Sequence, residues 1–424
     1  MMAALVFALG VYAVQTLCFA PRVNLPPHML GHPPIYVDEM LTPEIQDALW
    51  DEFKGMKTFP MNTRDTQFYT TEHEHIGEAE EIGADKTCDN PYLVPNVNRS
   101  ACILPGRIDI GRHFILGGGV HGIKESYDRM ISRILSFGRY IFAPDKDMVV
   151  GKLFASPSFV DSAKAICPPD AQVLDPFQYN VIWSVPGQGV ATHIDGVYFW
   201  GATRFNYPQW LLAVMKGSGL FEELFISQVQ VVAYVHKWKD ERGGDFVWWD
   251  TPGQQEPHSI KPKGGAGSAV DGSQTVHAAS IYRPDVDPPL MDKSKDNVLT
   301  YHGNDKWSIT ETESGSVLRE YTTDDLRVSI VYRARCFASE EDKARFNAGV
   351  PAIPLDDILA ILTDDLVQKG KLAPNQDISR YDLAMKLLDA YIPYPLSTSA
   401  WFPYNYCALT RLIPASNHLL KYVC

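Results

Sequence analysis

A closely spaced histidine and aspartate, His193 and Asp195, are followed much later in the chain by His277. Residues i and i+2 of a β-strand point to the same face, so His193 and Asp195 can reach one ion together. Two imidazoles and one carboxylate form the facial triad that binds Fe(II) and leaves three coordination positions open. Because the third ligand must come from another strand, His277 in the strand-like run TVHAASIY is the candidate. His193, Asp195 and His277 are therefore candidate ligands of one metal ion.

The HxD pair is weak evidence alone, since a chain of ordinary composition contains about one by chance. The order of the segments that follow it is more specific. These segments are QVQVVAYV at 228–235, GGDF at 243–246, IKPKG at 260–264, GSAV at 267–270 and VHAA at 276–279. Their order resembles the core of the prolyl 4-hydroxylase branch of 2-oxoglutarate oxygenases, over roughly residues 175–335.

The resemblance implies a double-stranded β-helix (jelly-roll) core, Fe(II) as cofactor and 2-oxoglutarate as co-substrate. It also implies that 2-oxoglutarate and O2 become succinate and CO2 while an unactivated C–H bond of an organic substrate is hydroxylated or desaturated. The protein would contribute ligation, orientation and exclusion of water, since the cofactor supplies the oxidising power.

The family also uses a basic residue on a later strand, often in an Arg-x-Ser pattern, to bind the far carboxylate of 2-oxoglutarate. Arg327 and Ser329 match this pattern here, and a guanidinium binds a carboxylate through two parallel hydrogen bonds. The spacing departs from the family, because Arg327 follows His277 by 50 positions instead of about ten. Residues 284–326 would then be an insertion. Arg333 is the alternative on the same strand face, and Arg283 is a weaker one.

The predicted helices flank a central β region. Thr42-Pro43-Glu44 supplies an N-cap, a first-turn proline and an early acid, which predicts a helix to about Met56. Residues 60–120 lack a clear period and are predicted to be mostly irregular, whereas residues 124–142 have helical spacing. Further helices are predicted at 355–369 and 378–391.

Short runs rich in Val, Ile and aromatic residues predict an antiparallel sandwich or barrel. These predicted strands are 177–184, 228–235, 245–250, 275–282 and 327–336, with a hairpin at 306–322 that turns at Ser314-Gly315-Ser316. The fold class is therefore α+β. The expected organisation is a signal segment at 1–20, a helical and irregular region at 21–173 that packs on the core, an oxygenase core at 174–338 with the inserted hairpin at 284–326, and a helical region at 339–424.

Residues 1–20 are almost wholly apolar and uncharged, which predicts a signal peptide or an uncleaved signal anchor. The junction Phe19-Ala20-Pro21 resembles the one that follows the signal peptide in plastid-bound proteins of diatoms and related algae. We therefore expect entry into the secretory pathway, with the plastid or a secretory lumen as destination. Membrane contact is expected only if this segment stays uncleaved. Of the seven cysteines, Cys88 and Cys102 are the first pair expected to form a disulfide, although a plastid stroma would leave them as thiols.

The formal net charge of −13 disfavours a nucleic-acid partner, because a negative surface repels phosphate backbones. The expected partners are 2-oxoglutarate, O2 and an organic substrate. Aromatic residues after the HxD pair, Tyr198 and Trp200 above all, are candidates for the substrate pocket, and 208–225 could form its lid. The substrate stays open between a peptidyl proline and a plastid pigment, the latter in a chlorophyllide desaturation of the chlorophyll c type. Two other classes also stay open: a non-catalytic jelly-roll binding module and a cupin-like metalloenzyme that does not use 2-oxoglutarate.

Overall fold

The computed structural model of the chain describes twelve stretches of sequence. They are residues 25–62, 78–84, 88, 93–96, 100–121, 125–142, 145, 147–153, 155–254, 256–292, 295–392 and 394–395. The predicted signal segment lies outside them. Within the described residues, no helix combines the length and the apolar character that crossing a bilayer requires.

Helices lie on both sides of a strand-rich centre. The helices are α1 (Pro43–Met56), α2 (Ile108–Leu116), α3 (Tyr127–Ile134), α4 (Val149–Leu153), α5 (Pro157–Ile166), α6 (Gln209–Ser218), α7 (Glu340–Asn347), α8 (Leu355–Gln368) and α9 (Arg380–Tyr391). The strands before the HxD pair are β1 (Ile35–Val37), β2 (Thr58–Asn62), β3 (Glu78–Glu81), β4 (Val94–Pro95), β5 (Ala101–Ile103), β6 (Ser136–Ile141) and β7 (Val173–Ser184). The later strands are β8 (Val190–His193), β9 (Gln228–Tyr234), β10 (Phe246–Trp249), β11 (His258–Ile260), β12 (Gly267–Val270), β13 (Val276–Ala279), β14 (Asn297–Gly303), β15 (Lys306–Glu311), β16 (Val317–Tyr321) and β17 (Arg327–Phe337).

The strands form a ten-stranded sheet, a four-stranded sheet and a small three-stranded sheet. The large sheet has the order β1-β12-β9-β17-β7-β6-β2-β14-β15-β16, and the four-stranded sheet has the order β11-β10-β13-β8. Their pairings are antiparallel. The side chain of Gln228 on β9 donates to the carbonyl of Gly196, three residues after β8, at 3.2 Å, and His193 on β8 lines a cleft together with residues of β7 and β17. The four-stranded sheet therefore faces the part of the large sheet that contains β9, β17 and β7.

Successive side chains of β17 alternate between two faces of the large sheet, one packed in a hydrophobic core and one turned toward the four-stranded sheet. Val328, Ile330 and Tyr332 are buried in an outer core between the large sheet and helices α1 and α5. Residues on the other face, Arg327 and Arg333 among them, point between the two sheets because successive strand residues face opposite ways. A second core lies between the four-stranded sheet and helices α6, α8 and α9. The strand sequence thus fixes which residues can reach the space between the sheets.

Several predicted elements are confirmed. Helix α1 ends at Met56, and the side chain of Thr42 accepts a hydrogen bond from the Ile45 N–H as an N-cap. The predicted hairpin is the β15–β16 pair, and helices α8 and α9 lie within two residues of their predicted bounds. The boundaries predicted at 174 and 338 fall beside the start of β7 and the end of β17, and they stay predictions.

Two local predictions are wrong, those for residues 124–142 and 208–225. The helix predicted over 124–142 is limited to α3, because β6 extends between β2 and β7 with Phe137 opposite both Met61 and Trp183. Residues 60–120, predicted to be mostly irregular, contain α2, β3, β4, β5 and the end of β2 in the part that the structure describes. The predicted lid at 208–225 is instead helix α6, which is buried from Trp210 to Gly217 in the second core.

Two disulfides are present among the described cysteines. Cys88 bonds to Cys102, as predicted, with a Cα–Cα distance of 5.8 Å. Cys167 bonds to Cys336 at the same Cα–Cα distance of 5.8 Å, which links the residue after α5 to the end of strand β17.

Candidate metal centre

The three predicted metal ligands come together at one point. His193 ends β8, Asp195 follows two residues later, and His277 lies on β13 directly opposite His193 in the register. Their candidate ligand atoms all lie within 4.8 Å of one another. The imidazole rings of His193 and His277 are 4.3 Å apart between centroids. Among the described residues, this is the one group of three or more His, Cys, Asp or Glu side chains placed to hold a metal ion.

Both imidazoles are oriented by backbone carbonyls. Nδ1 of His193 lies 2.8 Å from the carbonyl of Ala191, and Nδ1 of His277 lies 2.9 Å from that of Thr275. These hydrogen bonds require the proton on Nδ1, so each ring presents Nε2 toward the other ligands, as metal-binding histidines commonly do. Burial lowers the pKa of His277, which favours the neutral form that binds metals.

Asp195 is held as a carboxylate. Burial alone would raise its pKa, but the guanidinium of Arg333 and the two histidines hold the pKa well below its usual value. Nη2 of Arg333 donates to Oδ1 of Asp195 at 2.6 Å and to Oε1 of Gln230 at 2.8 Å. Two neutral imidazoles and an ionised carboxylate are a donor set that fits Fe(II).

Gly272 is a site residue that the sequence analysis missed. Its carbonyl accepts a hydrogen bond from the Asp195 N–H at 2.7 Å. A Cβ added to Gly272 would overlap Oδ2 of Asp195 and would lie 3.0 Å from both Cγ of Asp195 and Cε1 of His277. The available signal was the Asp271-Gly272 pair just before the strand that carries His277, which is typical of a tight turn. The missing side chain leaves room for the ligands.

Arg327 has the properties expected of a carboxylate-binding residue. It is buried, its side chain lies against Gly244, and its guanidinium is 5.4 Å from the centre of the Tyr234 ring. Its Nε has no hydrogen-bond partner among the described residues, and burial lowers its pKa. A buried, incompletely paired cation is costly and is stabilised by an anionic ligand. Ser329, also buried, lies on the same strand face.

The position of Arg327 relative to the triad follows from β10. Gly244 contacts the Arg327 side chain, and two residues later the ring of Phe246 lies 5.4 Å from that of His277. Arg327 therefore lies deeper in the space between the two sheets than the three candidate metal ligands do, on the side of His277.

The other two basic candidates have different surroundings. Arg333 is engaged with the carboxylate of Asp195, beside the ligands themselves. Arg283 forms an ion pair with Asp325 at 3.1 Å and has a left-handed backbone φ of 48°, at a turn outside the space between the sheets. Of the three candidates, Arg327 is thus the one that is buried between the sheets without an ion-pair partner among the described residues.

A polar cleft opens beside the triad. The side chains that line it include three guanidinium groups and three amides, from Arg107, Arg204, Arg333, Gln178, Asn180 and Gln209. The one carboxylate in its lining is Asp195. Tyr198 and Trp200, the predicted candidates for a substrate pocket, do not line this cleft. Both pack in a small cluster with Phe337 and Phe346, because the chain turns away from the metal ligands after Gly196.

Comparison with known proteins gives matches to solved structures alone. No protein-family model matches the chain, and the search of curated proteins found no relative. A prolyl 4-hydroxylase from Pseudomonas putida matches at 11% identity, with 47% of this chain and 68% of that chain covered and a TM-score of 0.26. A prolyl hydroxylase from Trichoplax adhaerens, solved with a peptide fragment of hypoxia inducible factor, matches at 11% identity over 79% and 95% of the chains with a TM-score of 0.32. The α-ketoglutarate-dependent non-heme epimerase SnoN of nogalamycin biosynthesis matches at 11% identity over 76% and 83%, with a TM-score of 0.31.

Two of these structures are prolyl hydroxylases, and the third is an α-ketoglutarate-dependent non-heme epimerase. TM-scores near 0.3 carry no argument about function by themselves. The functional assignment therefore depends on the geometry of the site.

Proposed function

We propose that this chain is an Fe(II)- and 2-oxoglutarate-dependent dioxygenase that hydroxylates or desaturates an unactivated C–H bond. The observation that carries this proposal is the convergence of His193, Asp195 and His277 on one buried point, with a buried guanidinium farther between the sheets. When bound, Fe(II) with 2-oxoglutarate and O2 supplies the oxidising power.

We propose that the core is a double-stranded β-helix. Two four-strand layers, β12-β9-β17-β7 and β11-β10-β13-β8, support this assignment, because consecutive strands of the core pass from one layer to the other except at the β10–β11 hairpin, which lies within the smaller sheet. The extra strands β14, β15 and β16 fill the interval between His277 and Arg327 and extend the far edge of the large sheet. The 50 positions between the metal ligand His277 and the proposed carboxylate-binding residue Arg327 are therefore compatible with the fold.

The residues of this chain would bind and orient the co-substrate. Arg327 would bind the far carboxylate of 2-oxoglutarate, with Ser329 as a neighbouring hydroxyl donor, while the keto-acid end lies at the metal. Arg333 would keep the Asp195 carboxylate ionised and would hold it facing the two histidines. Burial of all three ligands would limit the access of water to the reacting centre.

The cleft indicates the chemical character of the substrate. Guanidinium and amide groups dominate its lining, so we propose that the substrate presents a polar or acidic group beside the reacting C–H bond. The aromatic lining that would favour a flat macrocycle such as chlorophyllide is not part of this cleft, since Tyr198 and Trp200 pack elsewhere. Neither a pigment nor a peptidyl proline is preferred on this basis.

We also propose that the chain enters the secretory pathway, with a secretory lumen or the plastid as destination. The Cys88–Cys102 and Cys167–Cys336 disulfides support this, because disulfides persist mainly in oxidising compartments.

Succinate formation tests the proposed activity. Purified protein receives Fe(II), 2-oxoglutarate and O2, with a library of small polar acids as candidate substrates. We expect slow succinate formation that rises when a substrate is added and disappears in His193→Ala and His277→Ala. Metal binding without 2-oxoglutarate affinity would favour the cupin-like alternative. Absence of metal binding would leave the non-catalytic binding module.

A further inference from the structure

The backbone between the first two metal ligands lies on an open sheet edge. Strand β8 is the last strand of the four-stranded sheet, with β13 on one side alone. Peptide groups of successive strand residues point to opposite sides. The Asp195 N–H points toward the β13 side, where it reaches the Gly272 carbonyl. The N–H and C=O of Ile194 therefore point outward, where a further strand would otherwise satisfy them.

Three buried side chains take the place of that strand. Nη2 of Arg107 donates to the Ile194 carbonyl at 2.8 Å, and the Ile194 N–H donates to the hydroxyl of Tyr394 at 3.3 Å. Arg107 and Tyr394 are joined through Asp109. Nε and Nη2 of Arg107 donate to its two carboxylate oxygens at 3.0 and 2.8 Å, and the Tyr394 hydroxyl donates to Oδ2 at 3.1 Å.

The network brings together parts of the chain that are distant in sequence. Arg107 and Asp109 lie at the start of α2, whereas Tyr394 follows α9. A second contact joins the same two segments, because Nε2 of His113 lies 3.0 Å from the Pro395 carbonyl. The rings of His113 and Tyr394 also meet edge to face, with centroids 5.5 Å apart. The residues after α9 are thus attached to α2 directly beside the metal ligands.

Burial makes these hydrogen bonds strong and their geometry definite. Arg107, Asp109 and Tyr394 are 7%, 2% and 2% exposed. Removal of one partner leaves the others buried and incompletely paired, which costs more than the loss of an exposed hydrogen bond. The residue they hold, Ile194, is itself 1% exposed and packs in the second core. Any shift of its backbone must move His193 and Asp195 with it.

We propose that Arg107, Asp109 and Tyr394 are positioning residues of the metal centre. They fix the peptide of Ile194 and thereby the separation of the His193 and Asp195 ligand atoms. The residues after α9 are accordingly part of the catalytic unit. This inference rests on the proposed function, since it concerns the affinity of the same site for Fe(II).

The test compares two tyrosines that differ in what their hydroxyls touch. Tyr394→Phe removes the hydroxyl that holds Ile194. Tyr391→Phe is the matched control, because Tyr391 is equally buried near the end of α9 but donates to Asp365. Fe(II) affinity is measured anaerobically by calorimetry without 2-oxoglutarate, and Co(II) absorption reports the coordination geometry. Changes of partners around metal ligands commonly weaken binding roughly 10–100-fold, and we expect a loss in that range for Tyr394→Phe.

Thermal unfolding of the metal-free proteins separates positioning from general stability. We expect similar losses of Tm in both phenylalanine variants, with weaker Fe(II) binding and an altered Co(II) spectrum in Tyr394→Phe alone. Asp109→Asn is the second variant, for the case that Tyr394→Phe does not fold, and it should also weaken binding. Wild-type Fe(II) affinity in both Tyr394→Phe and Asp109→Asn would overturn the positioning role while leaving the metal site intact. No Fe(II) binding by the wild-type chain would refute the metal centre and the network with it.

Discussion

The substitution Gly272→Ala tests whether the metal ligands need the space that the missing side chain of Gly272 leaves. The φ of Gly272 lies outside the left-handed region, so alanine is compatible with the backbone. The new Cβ would lie 3.0 Å from Cγ of Asp195 and from Cε1 of His277. Carbon atoms in contact are roughly 3.5–4.0 Å apart, so these side chains would have to retreat by about 0.5–1 Å. Metal–ligand distances tolerate only about 0.2 Å, so the variant should lose ligand geometry.

The expected size of the effect follows from that displacement. A misplacement of about 1 Å at a reacting centre commonly costs on the order of 100-fold, and we expect Fe(II) affinity to fall by about that factor. Stability of the metal-free protein should fall as well, because the Asp195 carboxylate that must move is buried and paired with Arg333. The assay is anaerobic Fe(II) calorimetry, with urea unfolding of the metal-free protein in parallel.

Gly55→Ala is the control for this substitution. Gly55 lies in α1, and a Cβ there would meet no atom within 4 Å. Alanine at that helical position should stabilise the protein by roughly 0.5–1 kcal/mol and leave Fe(II) affinity unchanged. An Fe(II) affinity of Gly272→Ala within threefold of wild type would refute the reasoning about ligand space.

Three further predictions concern the co-substrate, the disulfide and pH. Arg327→Gln should weaken 2-oxoglutarate binding by about 1.5–3 kcal/mol, roughly 10- to 150-fold, with Fe(II) affinity unchanged. An equal loss of both affinities in titrations would contradict the proposal that Arg327 binds the far carboxylate of 2-oxoglutarate. The Cys88→Ser/Cys102→Ser double variant, which opens a loop of 14 residues, should lose about 3 kcal/mol in urea unfolding. In the wild type, alkylation should label neither cysteine before reduction and both cysteines after it; labelling of either one before reduction would contradict the disulfide. Burial lowers the pKa of His113 to about 4, and burial together with Arg327 lowers that of His236 to about 3. A histidine in the unfolded chain has a pKa near 6.5, so the contribution of each buried histidine to the free energy of unfolding should be fully present above that pH. This contribution should fall by about 1.4 kcal/mol per pH unit for each histidine as the pH drops toward 4. Equal unfolding free energies at pH 7 and pH 5 would exclude this.

The sequence predicted those parts of the molecule that depend on local pattern. Thr42 and Pro43 predicted the start of α1, and Ser314-Gly315-Ser316 predicted the hairpin. The alternation of RVSIVYRARC predicted β17 and the shared face of Arg327 and Arg333. The same alternation suggested that His193 and Asp195 point together, whereas His277 was predicted from the order of the segments that follow them.

The parts that the sequence did not predict depend on distant partners. The residues of β6 have helical spacing, yet they are extended because β2 and β7 provide strands on both sides. Helix α6 is buried because α9 and the four-stranded sheet cover it, which no window of its own sequence reveals. The contact of Tyr394 with Ile194 joins residues 200 positions apart.

The central claim is that one Fe(II) binds at His193, Asp195 and His277 and accepts 2-oxoglutarate as a chelator. Anaerobic titration of the protein and Fe(II) with 2-oxoglutarate tests it directly, through the visible charge-transfer absorption that a 2-oxo acid gives when it chelates Fe(II). We predict an absorption that saturates at one equivalent of each component and is absent in His277→Ala. No absorption in the wild type, or the same absorption in His277→Ala, would contradict the assignment.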